Sequence, residues 1–185
     1  MKIGIVTFHF AQNYGALLQC FALKTYLQKL NSGEVNIINY CPEYHYAEYR
    51  QSNPAFDNFI DTRISAIDYT EDDDYDVIIY GSDTIWHPFK FKTFEGFDEA
   101  YFAKKFKSKK HISFSASSCL EPLKKSEEKQ PKISELLRNF SSISVRESFL
   151  ADFIAECVDI PVHHTCDPTF LLSAEEWSGY LSEPI

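Results

Sequence analysis

The feature that most constrains this chain is a rhythm of short apolar runs. Lys2–Phe8, Val35–Tyr40, Asp76–Tyr80, His111–Ser115, Ser142–Val145 and Val162–Cys166 each read as a strand, the first and third of them buried. Between them the pattern changes. From Ala16, the residues Leu17, Cys20, Phe21, Leu23, Leu27 and Leu30 recur at helical spacing, and Asn31-Ser32-Gly33 stops them. Pro54 opens a second helical run with apolar positions Phe56, Phe59, Ile60, Ile64 and Ile67. Phe97–Phe106, Ile133–Phe140, Phe149–Cys157 and Ala174–Leu181 predict shorter helices. Cys41–Pro54 and Thr84–Gly96 read as aromatic loops, and Lys124–Lys132 as a hydrophilic segment. Strands that alternate with helices make a mostly parallel sheet covered on both faces. The fold class is α/β, Rossmann-like, and 185 residues fit one domain.

Several functions are excluded by what such a sheet would need. The six glycines are Gly4, Gly15, Gly33, Gly81, Gly96 and Gly179, no two within three residues of each other. That removes both the G-x-G-x-x-G dinucleotide fingerprint and the phosphate-cradling P-loop. Lys+Arg 18 against Asp+Glu 27 gives a net charge of −9, so a nucleic-acid face and a polybasic membrane anchor are not expected. Five cysteines, an odd number with no C-x-x-C, predict reduced thiols in a cytoplasmic protein rather than a disulfide scaffold or structural zinc. No run approaches the ~18 apolar residues of a membrane span. His163 and His164 are adjacent on a strand and point to opposite faces, so no metal site is expected there.

Ligands of open parallel sheets bind beyond the carboxyl ends of the strands. The residues that follow the predicted strands are His9, Gln12 and Asn13; Gly81, Ser82 and Asp83, with Trp86 and His87 close behind; Ser115, Ser117 and Ser118; Arg146 and Glu147; and Asp167. Nearly every unusual polar residue falls on one predicted edge. Strand-end loops also use Ser, Asp and Asn for caps and turns, so each residue has a structural alternative. Asn13-Tyr14-Gly15 reads as an anion or hydroxyl site at a helix start, or as an N-cap. Gly81-Ser82-Asp83 puts a carboxylate on a substrate hydroxyl, or caps a helix. Trp86 stacks on a sugar ring, or packs in the core. Arg146-Glu147 braces the strand end. Asp72–Asp74 reads as a solvated turn, since its spacing lacks the order of a calcium loop.

The strings IGIVTFHFAQNYGALLQCFAL, VNIINYCPEY, DVIIYGSDTIWHP, HISFSASS, ISVRES and DPTFLL occur in this order. Together they resemble the polysaccharide pyruvyl transferase family, from Lys2 to about Trp177. The resemblance implies transfer of a ketal pyruvyl group from phosphoenolpyruvate to two hydroxyls of a cell-surface saccharide, in exopolysaccharide or cell-wall biosynthesis. It implies a GT-B-like pair of Rossmann-like halves, with no bound cofactor and phosphoenolpyruvate as donor substrate. Asp83 is then the acceptor-side catalytic carboxylate. Asn13, Tyr14, Gly81, Ser82, Trp86, His87, Ser117, Arg146, Glu147 and Asp167 line the substrate edge. Thr84 and His87 stand where the family commonly has Gln and Asn, which is expected to alter acceptor recognition. The chain reaches Ile185 where the family's second half is expected to begin. The resemblance thus makes it an acceptor-side N-terminal half, inactive alone and needing a C-terminal half or partner chain. Two other readings stay open: a non-catalytic saccharide-binding or assembly module, and a flavodoxin-type redox module.

Overall fold

The first strand, β1 (Ile3–Val6), is buried along its whole length, as expected for a central strand. It leads into α1 (Tyr14–Leu30), which the Asn13 side chain caps by accepting from the Ala16 amide. This helix starts at Tyr14, two residues before the apolar stripe. β2 (Val35–Ile37) pairs parallel with β1, and β3 (Val77–Tyr80) pairs parallel with its other side. β6 (His111–Ser113) then pairs parallel with β3. The computed structural model describes residues 1–45, 53–129 and 133–181.

Beyond β6 the sheet continues with serines in place of part of the ladder. Ser113 N donates to Ser142 O (3.1 Å) and Ala116 N to Ser144 O (3.1 Å). Between these, Ser144 N donates to Ser113 Oγ (2.9 Å) and Ser115 N to Ser144 Oγ (2.9 Å). β7 (Ile143–Val145) is joined in this way and pairs parallel with β8 (Val162–His164). The parallel strands therefore follow the order β2-β1-β3-β6, extended by β7 and β8. Chain direction across the sheet reverses between β1 and β3, which is the switch point of a doubly wound sheet.

Side chains alternate between two apolar layers. Ile3, Ile5, Val35, Ile37 and Ile79 face one layer with Leu17, Phe21, Ile64 and Trp177. Val6, Ile78, Tyr80 and Val145 face the other with Trp86, Tyr101, Phe102, Leu136 and Ile154. The second helical run is α2 (Pro54–Phe59) followed by a π-helical turn, Ile60–Ile64, which ends at Ser65 with a left-handed backbone (φ 48°). Ile67 is extended, not helical, and bridges Ile38. The loop expected over Thr84–Gly96 contains a small antiparallel hairpin, β4 (Phe89–Lys90) and β5 (Glu95–Gly96). The helix expected over Phe97–Phe106 shrinks to a 3-10 turn, Glu99–Phe102. α3 (Leu120–Lys129) occupies part of the segment read as merely hydrophilic, with Leu123 as its buried anchor. α4 (Ile133–Leu137), α5 (Ser148–Cys157), a 3-10 turn at Pro168–Leu171 and α6 (Ala174–Leu181) complete the chain. Residues 46–52 of the expected Cys41–Pro54 loop and residues 130–132 of the hydrophilic segment lie outside the described residues.

Candidate functional site

Beyond the carboxyl ends of β1 and β3, at the switch point, the loops that follow them enclose a cleft of about 200 Å³. Phe8, Phe10, Ala11 and Ala16 form its apolar wall with His45, while Asn13, Asp83 and Thr84 supply the polar groups. Buried polar groups fix the two strand ends to each other. Gln19 Nε2 donates to Thr7 Oγ1 (3.0 Å), and Gln19 Oε1 accepts from Ser82 N (3.2 Å). Thr7 Oγ1 in turn donates to Ser82 O (3.1 Å). Ser82 Oγ donates to Ser115 O (2.9 Å), which ties the β3 end to the β6 end. Gly81 has φ +117°, and a Cβ there would sit 2.4 Å from Phe114 O, so only glycine fits.

Asp83 follows with φ 74°, a conformation that non-glycine residues rarely adopt outside functional or turn positions. Its Oδ1 accepts from the Thr84 amide (2.7 Å) and lies 3.3 Å from Thr84 Oγ1. Its Oδ2 has no hydrogen bond from a described residue. Burial raises the Asp83 pKa above the usual carboxylate value, although the Thr84 amide and the Arg146 charge pull the other way. A carboxylate with raised basicity and one open oxygen, facing a cleft, is equipped to accept a proton from a hydroxyl.

A second group lies beside it. Ser117 N donates to Asp83 O (2.9 Å). Ser117 Oγ donates to Glu147 Oε1 (2.9 Å) and accepts from an Arg146 guanidinium nitrogen (3.2 Å). Arg146 also reaches Glu147 Oε1 (3.0 Å) and Asp167 Oδ2 (3.1 Å). Burial disfavours its charge, but the two carboxylates more than compensate, and its pKa is raised. Asp167 caps the following 3-10 turn through the Thr169 amide (2.9 Å). Two carboxylates contact this guanidinium and Asp83 lies near enough to feel its charge, so the edge is acidic on balance.

Sequence reasoning placed Asp83, Ser117, Arg146, Glu147 and Asp167 on one edge, and they are joined there by direct contacts. Asn13 shares the cleft with Asp83. Tyr14 is exposed beside it. Gly81 and Ser82 are buried and shape the turn without facing the cleft. Trp86 is a core residue and corrects the stacking expectation. It is 1% exposed, its Nε1 donates to Tyr101 O (3.1 Å), and its ring stacks on Phe102. His87 is not part of the cleft lining. Its ring meets Phe89 edge-on, its Nδ1 is buried without a partner among the described residues, and burial lowers its pKa. His9 is buried between Thr7 O (3.2 Å) and Asn39 Oδ1 (3.1 Å), and Ser115 is taken up by Thr165 and Cys166.

The residues missed were Phe8, Phe10, His45 and the bracing Gln19. A signal existed for the first two: the β1 run carries aromatic residues past its end, where a solvated loop would not. Among the described residues no three His, Cys, Asp or Glu side chains converge as metal ligands would. No helix among them is long and apolar enough to cross a membrane.

An open parallel α/β sheet with a cleft at its switch point is a scaffold that binds ligands beyond its strand ends. The family described as polysaccharide pyruvyl transferase matches residues 13–184, and the chain belongs to that family. No curated protein and no solved structure gives a significant match.

Proposed function

We propose that this chain binds the saccharide acceptor of a pyruvyl transfer reaction in the cytoplasm, with Asp83 as the base that takes the proton of an attacking hydroxyl. Family membership supports the reaction class. The observation that carries the acceptor assignment is the commitment of Arg146 to Glu147 and Asp167. Phosphoenolpyruvate brings a carboxylate and a phosphate, and both need cationic or amide donors when desolvated. An edge whose guanidinium is already paired with two carboxylates, with Asp83 close by, suits a neutral, hydroxyl-rich partner instead. Cations from outside these residues, on a further GT-B-like half or a partner chain, would hold the donor. The chemistry then asks for an acid that protonates the enol methylene, a base for each sugar hydroxyl in turn, and donors that hold the departing phosphate. Asp83 fits the second of these roles.

The test pairs phosphate release from phosphoenolpyruvate with saccharide titrations followed by NMR. The expected outcome is saccharide-induced shifts at the strand-end loops, lost in Asp83→Ala, with no phosphate release from this chain alone. Catalytic release that Asp83→Ala abolishes would overturn the need for outside cations. Absence of any saccharide response would overturn the acceptor assignment.

A further inference from the structure

The cleft is small. At about 200 Å³ it is below the ~300–1,000 Å³ of pockets that enclose a drug-sized ligand, so it has room for little more than one sugar ring. A saccharide acceptor would therefore continue outside it. The residue after Asn13, which lines the cleft, is Tyr14, and it is 75% exposed. Large aromatic side chains gain by burial, and this ring stands open next in the chain to a residue that lines the cleft. The Tyr14 ring is not loose. It rests on Phe56 at a centroid distance of 4.8 Å and an interplanar angle of 46°. Phe56 packs against the apolar layer that contains α1. The two segments are further tied by Gln12 Nε2 donating to Asp57 Oδ1 (3.2 Å), and α2 itself is capped by Asn53 through the Ala55 amide (3.2 Å). One side of Tyr14 is thus supported and most of the ring faces solvent.

We infer that Tyr14, backed by Phe56, is an outer stacking position for the sugar unit that adjoins the one in the cleft. The inference rests on the acceptor reading of the cleft and adds a second contact, to the sugar unit outside it. An aromatic face suits the C–H side of a pyranose ring, and a ring already held in place loses little freedom on binding. Tyr14 takes the stacking role that Trp86, buried in the core, cannot perform.

The experiment titrates the 185-residue chain with galactose and N-acetylglucosamine, and with lactose, chitobiose and chitotriose, followed by NMR. The oligosaccharides are expected to bind about threefold to tenfold more tightly than the single sugars, the range of an aromatic stacking contact. Tyr14→Ala should bring oligosaccharide affinity down to the single-sugar level. Tyr14→Trp should restore the difference, which a mere loss of folding could not explain. Single-sugar binding that depends on Asp83, with no oligosaccharide advantage or with one that survives Tyr14→Ala, would overturn this inference and leave the acceptor reading intact. No binding by any of the five sugars would overturn both.

Discussion

Asp83 combines three properties that rarely meet in one residue: a left-handed backbone, partial burial, and a carboxylate oxygen left open toward a cleft. Its pKa is raised by burial, so the folded state disfavours the charge relative to the unfolded chain. The sign follows from linkage. A carboxylate whose folded pKa lies above the unfolded value weakens the fold above that folded pKa, and the penalty fades as pH falls through it. Asn keeps an acceptor for the Thr84 amide and tolerates positive φ. Asp83→Asn should therefore melt at a higher temperature than the native chain at neutral pH. The gap should narrow toward the ordinary carboxylate value of about 4. Thermal melts across that interval check it, and a gap that does not change with pH would discount burial as the cause. The position of Asp83 was legible because it follows a β-branched run. The position of Trp86 was not, because a Trp behind a strand end reads the same whether it faces a ligand or the carbonyl of Tyr101, fifteen residues away in the chain.

At the scale of elements, α1 does more than cover the sheet. Through Gln19 it holds the β1 end and the turn after β3 in one network of buried hydrogen bonds. Gln19→Met keeps the volume but leaves the Ser82 amide without its acceptor. The expected loss is about 1–3 kcal/mol in urea unfolding, with the largest NMR shifts at Ser82 and Asp83. A loss below about 0.5 kcal/mol would place it with ordinary surface substitutions and remove the bracing role. The strands and α1 were readable because each carries a regular apolar period. α3 was not, because Leu123 is its buried anchor in a run of Lys and Glu. The hairpin and the π-helical turn were hidden for another reason: both arise from tertiary packing of aromatic and isoleucine side chains, not from a local period. Gln19 was hidden inside an apolar stripe, where a lone amide has no signal until its partners on other strands are known.

For the whole molecule, burial lowers the pKa of His9, His45, His87 and His111, that of His45 to about 4. Each favours its neutral form in the folded state, so the unfolded chain binds more protons as pH drops below the ordinary histidine value of about 6.5. Stability should be full above that value and decline as pH falls below it, for His45 until its folded pKa of about 4 is reached. Asp73 and Asp76, held low mainly by hydrogen bonds from Lys2 and Lys109, add to the loss further down. Urea midpoints measured across this interval check it, and a flat profile would show that these histidines are not desolvated as described. The two apolar layers of the sheet have a practical consequence. Each contains one of the two tryptophans, Trp86 on one side and Trp177 on the other. Replacing either by Phe leaves a single tryptophan, and with excitation at the red edge, where the tyrosines do not absorb, its emission reads one face alone, so the order in which the two sides assemble during refolding can be timed with no added label.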